Sequence, residues 1–140
     1  MIKTAFIGLG YRGRQLYGLL QHIRGFRIVA FADPGVEEDA VAGIPCYQRG
    51  EEDYRRMLAE QKPQLVFVAS PWHCHVRHAL HCMECGADVA LEIKGGLYIE
   101  EYRPLIACAA RTGRRIYPLE NTLFMRENLA IYNMVQAGLL

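Results

Sequence analysis

Several features that would send this sequence to a membrane, a nucleic acid or the cell exterior are missing. No apolar stretch approaches the roughly 20 residues that a membrane span requires, so no membrane partner is expected. Charge of either sign is barely in surplus. Sixteen Lys and Arg against 15 Asp and Glu leave a formal net charge of +1, which supplies no basic footprint for nucleic acid. The five cysteines (Cys46, Cys74, Cys82, Cys85 and Cys108) are odd in number and lack the spacing of a small secreted scaffold. They read as reduced thiols, and the expected location is cytoplasmic. Met1-Ile2-Lys3 leads straight into a strand-like segment, so no signal peptide or twin-arginine stretch is expected. Repeats, low-complexity tracts and linkers are absent as well, so residues 1–140 are expected to form one unit.

What is present is apolar material in alternating patterns. Hydrophobic residues make up 51% of the 140, enough for a buried core but in a chain short for separate cofactor and substrate domains. Strand-like runs are Lys3–Gly8, Phe26–Ala32, Leu65–Ala69, Asp88–Ile93 and Arg115–Leu119. Helical spacing covers Arg12–Arg24 (Leu16, Leu19, Leu20, Ile23), Asp53–Gln61, His73–Cys85, Tyr102–Thr112 and Arg126–Ala137. Pro104 is tolerated only in a first turn, which places the start of its helix near Glu101–Arg103. Strands apolar on both faces and separated by helices predict an α/β fold: a doubly wound (Rossmann-type) parallel sheet with helices on both faces.

The chemistry begins at Gly8-Leu9-Gly10-Tyr11-Arg12-Gly13, a G-x-G-x-x-G pattern. The short pattern is weak alone, but it follows an apolar strand, opens a periodic helix and has an acidic residue, Asp33, at the end of the next strand. Gly8 permits the tight turn, Gly10 lets backbone N–H groups approach a pyrophosphate, and Gly13 lets the helix pack closely on the strand. The helix N-terminus adds unpaired donors and partial positive charge. Tyr11 and Arg12 join the three glycines as cofactor-binding candidates. Asp33 is expected to accept hydrogen bonds from the adenosine ribose hydroxyls. A 2′-phosphate would meet this carboxylate with no arginine directly after it, which favours NAD over NADP. The alternative is a glycine-rich turn that binds nothing.

Further along, Val66-Phe67-Val68-Ala69-Ser70-Pro71-Trp72-His73-Cys74-His75 resembles the Gfo/Idh/MocA family (glucose–fructose oxidoreductase / inositol dehydrogenase), whose third strand ends in T-P-N-x-x-H. The segment Ala79-Leu80…Cys85-Gly86-Ala87-Asp88-Val89…Glu92 is similar to that family's A-L-x-A-G-K-H-V-x-x-E-K-P, and the resemblance extends to Leu140. It implies an NAD(P)-dependent oxidoreductase acting on a sugar, polyol or related small molecule through a C-terminal substrate domain that these residues do not contain. It also implies that Ser70, Pro71, Trp72 and His75 lie along the cofactor and Glu92 near the nicotinamide ribose. Two positions depart from the pattern. Trp72 stands for asparagine, and Ile93 stands for the lysine that assists proton transfer, with Lys94 one place later as the candidate acid/base. Leu119-Glu120-Asn121 and Asn133-Met134-Val135 resemble a branch of the family that cleaves glycosides through transient oxidation by bound NAD and also lacks the lysine. An NAD-dependent glycoside hydrolase is therefore one alternative, and a non-catalytic NAD(H)-sensing module another. A fragment of this kind is expected to be inactive alone, and its uncovered apolar surface to favour a homo-oligomer.

The stretch His73–Cys85 is dense in possible metal ligands. On a helix, Cys74, His78, His81 and Cys85 share a stripe, but about eleven residues of rise spread it over roughly 16 Å. Metal–ligand bonds of about 2.0–2.3 Å cannot bring all four to one ion, so no metal site is expected. The ordinary reading is a crossover helix burying Val76, Leu80 and Met83. His75, at the start of that helix beside the cofactor loop, is the histidine with a candidate functional role; a purely structural one is the alternative. Arg111, Arg114 and Arg115 read as a solvated face at a helix end.

Overall fold

The computed structural model describes residues 1–36, 41 and 43–140. In chain order they form β1 (Ile2–Ile7), α1 (Tyr11–Leu20), β2 (Phe26–Ala32), β3 (Cys46–Tyr47), α2 (Asp53–Gln61), β4 (Leu65–Val68), α3 (His75–Glu84), β5 (Asp88–Leu91), α4 (Tyr102–Thr112), β6 (Ile116–Pro118) and α5 (Arg126–Gln136). All neighbouring strands run parallel in the order β3-β2-β1-β4-β5-β6. The order reverses between β1 and β4, so their carboxyl ends open a crevice where the connecting helices leave in opposite directions.

Alternation along the strands sorts side chains to two faces. Ala5, Ile7, Ala30, Val66, Val68, Val89 and Leu91 face α2, α3 and α4, packing on Met57 and Leu58, on Ala79, Cys82 and Met83, and on Leu105 and Cys108. The opposite face is aromatic. Phe6 stands opposite Phe31 and Phe67 in the register, with ring centroids 5.5 and 4.9 Å apart, and α1 covers them with Leu16, Tyr17 and Leu20. The two covers are unequal. Every residue from 121 to 140 is exposed, α5 included, so Leu129, Tyr132 and Val135 are left largely open to solvent.

Differences from the sequence-based expectations have local causes. β3 escaped notice because two residues are too few for a periodic signal; it is held at the sheet edge through Phe31 and Asp33, whose N–H groups donate to Pro45 and Tyr47. α1 stops at Leu20 rather than Arg24. His22 and Ile23 instead donate to carbonyls three residues back, and Leu19 and Ile23 stay exposed. α4 begins at Tyr102 after a 3₁₀ turn at Ile99–Glu101, which leaves Pro104 in the first turn where its missing N–H does no harm. α3 corrects the expected burial of Val76 and Leu80: they are half-buried, and the fully buried face is His75, His78, Ala79, Cys82 and Met83. Histidine can occupy that face because carbonyl and hydroxyl partners await its ring nitrogens. Arg111 and Arg114 are also more than a solvated face, since they reach Glu84 (3.1 Å) and Asp88 (4.0 Å) on neighbouring elements.

One backbone contact sets the spacing of this sandwich. A Cβ on Gly13 would lie 2.2 Å from the Gly8 carbonyl oxygen, so only glycine lets α1 sit this close to the end of β1. Gly13→Ala is accordingly expected to destabilise the fold by about 1–3 kcal/mol in urea titrations, as overpacking does. Gly18→Ala, in the same helix where a Cβ meets nothing within 4 Å, is expected to stabilise by about 0.5–1 kcal/mol. Equal effects of the two substitutions would contradict this account.

Candidate functional site

The crevice is built by the turn that follows β1. Gly8 adopts φ +93°, and a Cβ there would meet the Ser70 nitrogen at 2.5 Å and the Ala69 carbonyl at 2.6 Å, so its lack of a side chain lets the ends of β1 and β4 touch. Gly10 caps α1 in an extended conformation, and no side chain bonds to the first N–H groups of the helix. Space beside Gly10 is open: a Cβ built there meets nothing within 4 Å. Asp33, at the end of β2, holds this turn in shape. Its Oδ2 accepts from the Leu9 N–H at 2.6 Å, and its Oδ1 from the Gly35 N–H at 2.8 Å.

These elements open onto a groove of about 490 Å³ whose lining includes Gly8, Gly10, Asp33, Ser70 and Pro71. A dinucleotide fits what is here. Unpaired helix N-terminal donors face a glycine with free space, one carboxylate stands at the next strand end, and the groove runs on between α2 and α3.

The other sequence candidates are placed around this groove in different ways. Arg12 Nε donates to Glu92 Oε1 at 2.7 Å, a pair that joins the glycine loop to the end of β5 and buries the glutamate. His75 is also buried. Its Nδ1 lies 2.6 Å from the Lys94 carbonyl oxygen and its Nε2 2.7 Å from that of Ser70, so the ring ties the loop after β4 to the loop after β5. Tyr11 and Trp72 are exposed. Lys94 belongs to an irregular loop beyond β5, so strand alternation does not govern which way it points; its Nζ sits 5.4 Å from the centre of the Trp72 ring, a cation–π contact.

Sequence reasoning missed the far wall: Tyr54, Arg77 and His78, with Gly50 and Glu51 at the rim. Tyr54 had the spacing of an ordinary core residue, and His78 lay among the metal candidates. Among the described residues, no three His, Cys, Asp or Glu side chains gather as metal donors. Ser70 Oγ instead lies 2.9 Å from His78 Nδ1, Tyr54 packs its ring on His78 at 4.4 Å between centroids, and the Tyr54 hydroxyl meets His81 Nδ1. Burial, with the charge of Arg77 adding to it, pushes His78 down to about 4. Burial likewise lowers His81 and raises the Cys82 thiol, which keeps that thiol protonated and unreactive. At the rim, Arg77 donates to Glu52 at 3.1 Å and lies 4.0 Å from Glu51, so its charge is matched by carboxylates.

Fold and groove together define a dinucleotide-binding Rossmann domain. Residues 2–119 match the profile of an oxidoreductase family with an NAD-binding Rossmann fold, Gfo/Idh/MocA. The chain belongs to that family and is its NAD-binding domain. It is 30% identical over 149 residues to glycosyl hydrolase family 109 protein 1 of Akkermansia muciniphila, covering 99% of this chain and 31% of that protein. The chain thus spans about a third of the length of the curated relatives it matches. Its fold is shared with the WlbA dehydrogenase of Bordetella pertussis, solved in complex with NADH and UDP-GlcNAcA (TM-score 0.86, 18% identity, 98% of this chain and 42% of that one). Myo-inositol 2-dehydrogenase of Lactobacillus plantarum also shares it (TM-score 0.82, 19% identity, 98% and 41%).

The depressed His78 gives a pH dependence with a definite sign. An unfolded imidazole takes its proton near 6.5 and the folded one near 4, so the unfolded chain binds more protons between those values. Stability contributed by neutral, buried His78 is therefore lost as pH falls through that window and levels off below it. Urea titrations from pH 7 to 4 are expected to show a shallower decline for His78→Phe than for the parent chain; identical slopes would contradict the assignment.

Proposed function

We propose that this domain holds NAD for a sugar- or polyol-active oxidoreductase whose substrate-binding residues are contributed by further chain. The single observation that carries the reading is the open space at Gly10 under an uncapped helix, bounded by Asp33. In this reading Gly8, Gly10, Tyr11, Arg12 and Gly13 surround the pyrophosphate and Asp33 takes the adenosine ribose. Ser70, Pro71 and Trp72 flank the nicotinamide half, braced from behind by His75 and the Arg12–Glu92 pair. NAD, when bound, accepts or returns a hydride, and the protein's part is to bind and orient it. Lys94, stacked on Trp72 at the same end, is the group available to hold or move a proton.

The rim supports NAD over NADP. Asp33 spends one lone pair of each oxygen on the loop and presents the remaining ones with a negative charge, while Glu51 and Glu52 occupy Arg77. A 2′-phosphate there would face the Asp33 carboxylate, and the nearby Arg77 guanidinium is already paired with Glu51 and Glu52. No described helix is long and apolar enough to cross a membrane. The reduced cysteines and the sugar-active relatives support a cytoplasmic place in carbohydrate metabolism. The exposed apolar residues of α5, together with the greater length of the relatives, support cover by a C-terminal substrate domain or by a second copy.

The second reading, a glycoside hydrolase that keeps its NAD, is favoured by the family 109 relatives and by Ile93 at the lysine position. Full-length protein separates the two. Net NADH accumulation in step with substrate consumption indicates a dehydrogenase, whereas aglycone release without net NADH indicates a hydrolase.

Cofactor choice is testable on the chain as it stands, because Trp72 is its only tryptophan and sits in the chain between Pro71 and His73, both of which line the groove. Titration with NADH is expected to quench its fluorescence saturably, with NADPH binding at least about tenfold more weakly. Gly10→Val, whose Cβ has no neighbouring heavy atom within 4 Å, is expected to abolish the quench without lowering thermal stability. Equal affinity for the two cofactors, or full binding by the valine variant, would contradict the reading.

A further inference from the structure

His75 makes a pair of contacts that a neutral imidazole cannot make. It is 1% exposed, its Nδ1 lies 2.6 Å from the carbonyl oxygen of Lys94, and its Nε2 lies 2.7 Å from that of Ser70. A backbone carbonyl only accepts, so each ring nitrogen has to donate. A neutral imidazole carries one N–H and one bare lone pair, whichever tautomer it adopts; only the imidazolium carries two N–H groups. Either neutral form would set a lone pair against a carbonyl oxygen at hydrogen-bond distance. Turning the ring over would put carbons against both oxygens and forfeit both bonds. The two distances are at the short end for N–H···O, as charge-assisted bonds are.

A buried cation is costly unless its donors are satisfied, and here both are. The start of α3 is the positive end of a helix and opposes the charge. A helix terminus weighs less than one charge-assisted hydrogen bond, however, and the ring makes two. The charged and titratable side chains on the surrounding segments are His73 after β4, Arg77 and His78 on α3, Tyr54 on α2, Glu92 with its partner Arg12, Lys94 beyond β5, and Tyr102 and Cys108 on α4. Of these, His78 is held neutral by burial, with the charges of Arg77 and of His75 itself adding to the effect. One ring of the two is charged, and its neighbour gives way.

We propose that His75 is an imidazolium in the folded chain and a positioning residue whose two N–H groups hold the loop after β4 and the loop after β5 at one spacing. The role rests on the NAD reading above, in which Ser70, Pro71 and Trp72 flank the nicotinamide half and Lys94 holds or moves a proton. The Lys94 ammonium sits 5.4 Å from the centre of the Trp72 ring, two residues along from Ser70, so both partners of that contact hang from the same imidazolium. Loss of one ring proton removes one of the two bonds and turns a lone pair on a carbonyl, which parts the loops. Raising the pH therefore loosens the hold on the cofactor, the opposite sign to the effect of His78 on stability.

The test is a long-range ¹H–¹⁵N spectrum of the parent chain at pH 7, where an exposed histidine is mostly neutral. His75 is expected to show two protonated ring nitrogens, whereas the exposed His22 and His73 give the signals of rings that have mostly lost one proton. At a higher pH, chosen so that one His75 nitrogen is bare, NADH is expected to bind about tenfold more weakly by calorimetry, the loss of one charge-assisted hydrogen bond. His75→Gln, whose amide supplies two N–H donors and does not titrate, is expected to bind NADH equally at both pH values. A bare His75 nitrogen at pH 7 overturns the proposal on the parent chain alone. NADH affinity indifferent to that proton, or a glutamine variant with the parent's pH dependence, overturns the positioning role. A doubly protonated His75 in a chain that binds no NADH overturns the cofactor reading while the charged clamp stands.

Discussion

The carbonyl of Gly8 lies where the side chain of any other residue at position 13 would have to be, and most of the site depends on that contact. It draws α1 down onto the end of β1 and so fixes where the first N–H groups of the helix sit. Gly8 makes a second close approach, to the backbone of Ala69 and Ser70, which brings the end of β4 alongside. Two glycines thereby position the carboxyl ends of β1 and β4 at the point where the sheet order reverses. The phosphate loop and the crevice beside it are consequences of backbone packing before any side chain takes part.

Side chains then lock what the glycines allow. Asp33 bonds to Leu9 across the turn, Arg12 to Glu92, and His75 to the carbonyls of Ser70 and Lys94, so the segments after four strands are tied to one another. Residues expected to touch the cofactor thus divide into two kinds. Gly8, Gly10, Asp33, Ser70 and Pro71 border the groove, whereas Glu92 and His75 stand behind it as braces. Burying an ion pair such as Arg12–Glu92 contributes little net stability, but it does hold one geometry, and position is what a cofactor site requires.

Strand and helix periodicity made the sheet legible in advance, and β2, α2 and α4 lie within the limits read from the residues alone. The glycine loop and Asp33 were legible because each residue type has a local physical reason to be there. What escaped notice depended on distant partners. Two residues become β3 only because β2 offers them an edge, and no local pattern records that. His75 and His78 are buried against polar partners outside their own helix, Ser70 and Lys94, which hydrophobic spacing does not record, so it pointed to Val76 and Leu80 instead. Tyr54 looked like core, and it is core, but it also forms the floor of the groove. The exposed α5 is the reverse case, an amphipathic pattern written for a surface that the described chain does not supply.

The central claim is that the turn from Gly8 to Gly13 is the seat of the NAD pyrophosphate, and backbone amide resonances report on it directly. In a ¹⁵N-labelled sample titrated with NAD, the amides of Leu9, Gly10, Tyr11 and Arg12 are expected to shift saturably, together with those of Asp33 and Ser70. Amides at the opposite end of the sheet, near Ile2, Gln64 and Asp88, should stay fixed. Saturable shifts confined to that opposite end, or none at the glycine turn, would contradict the account.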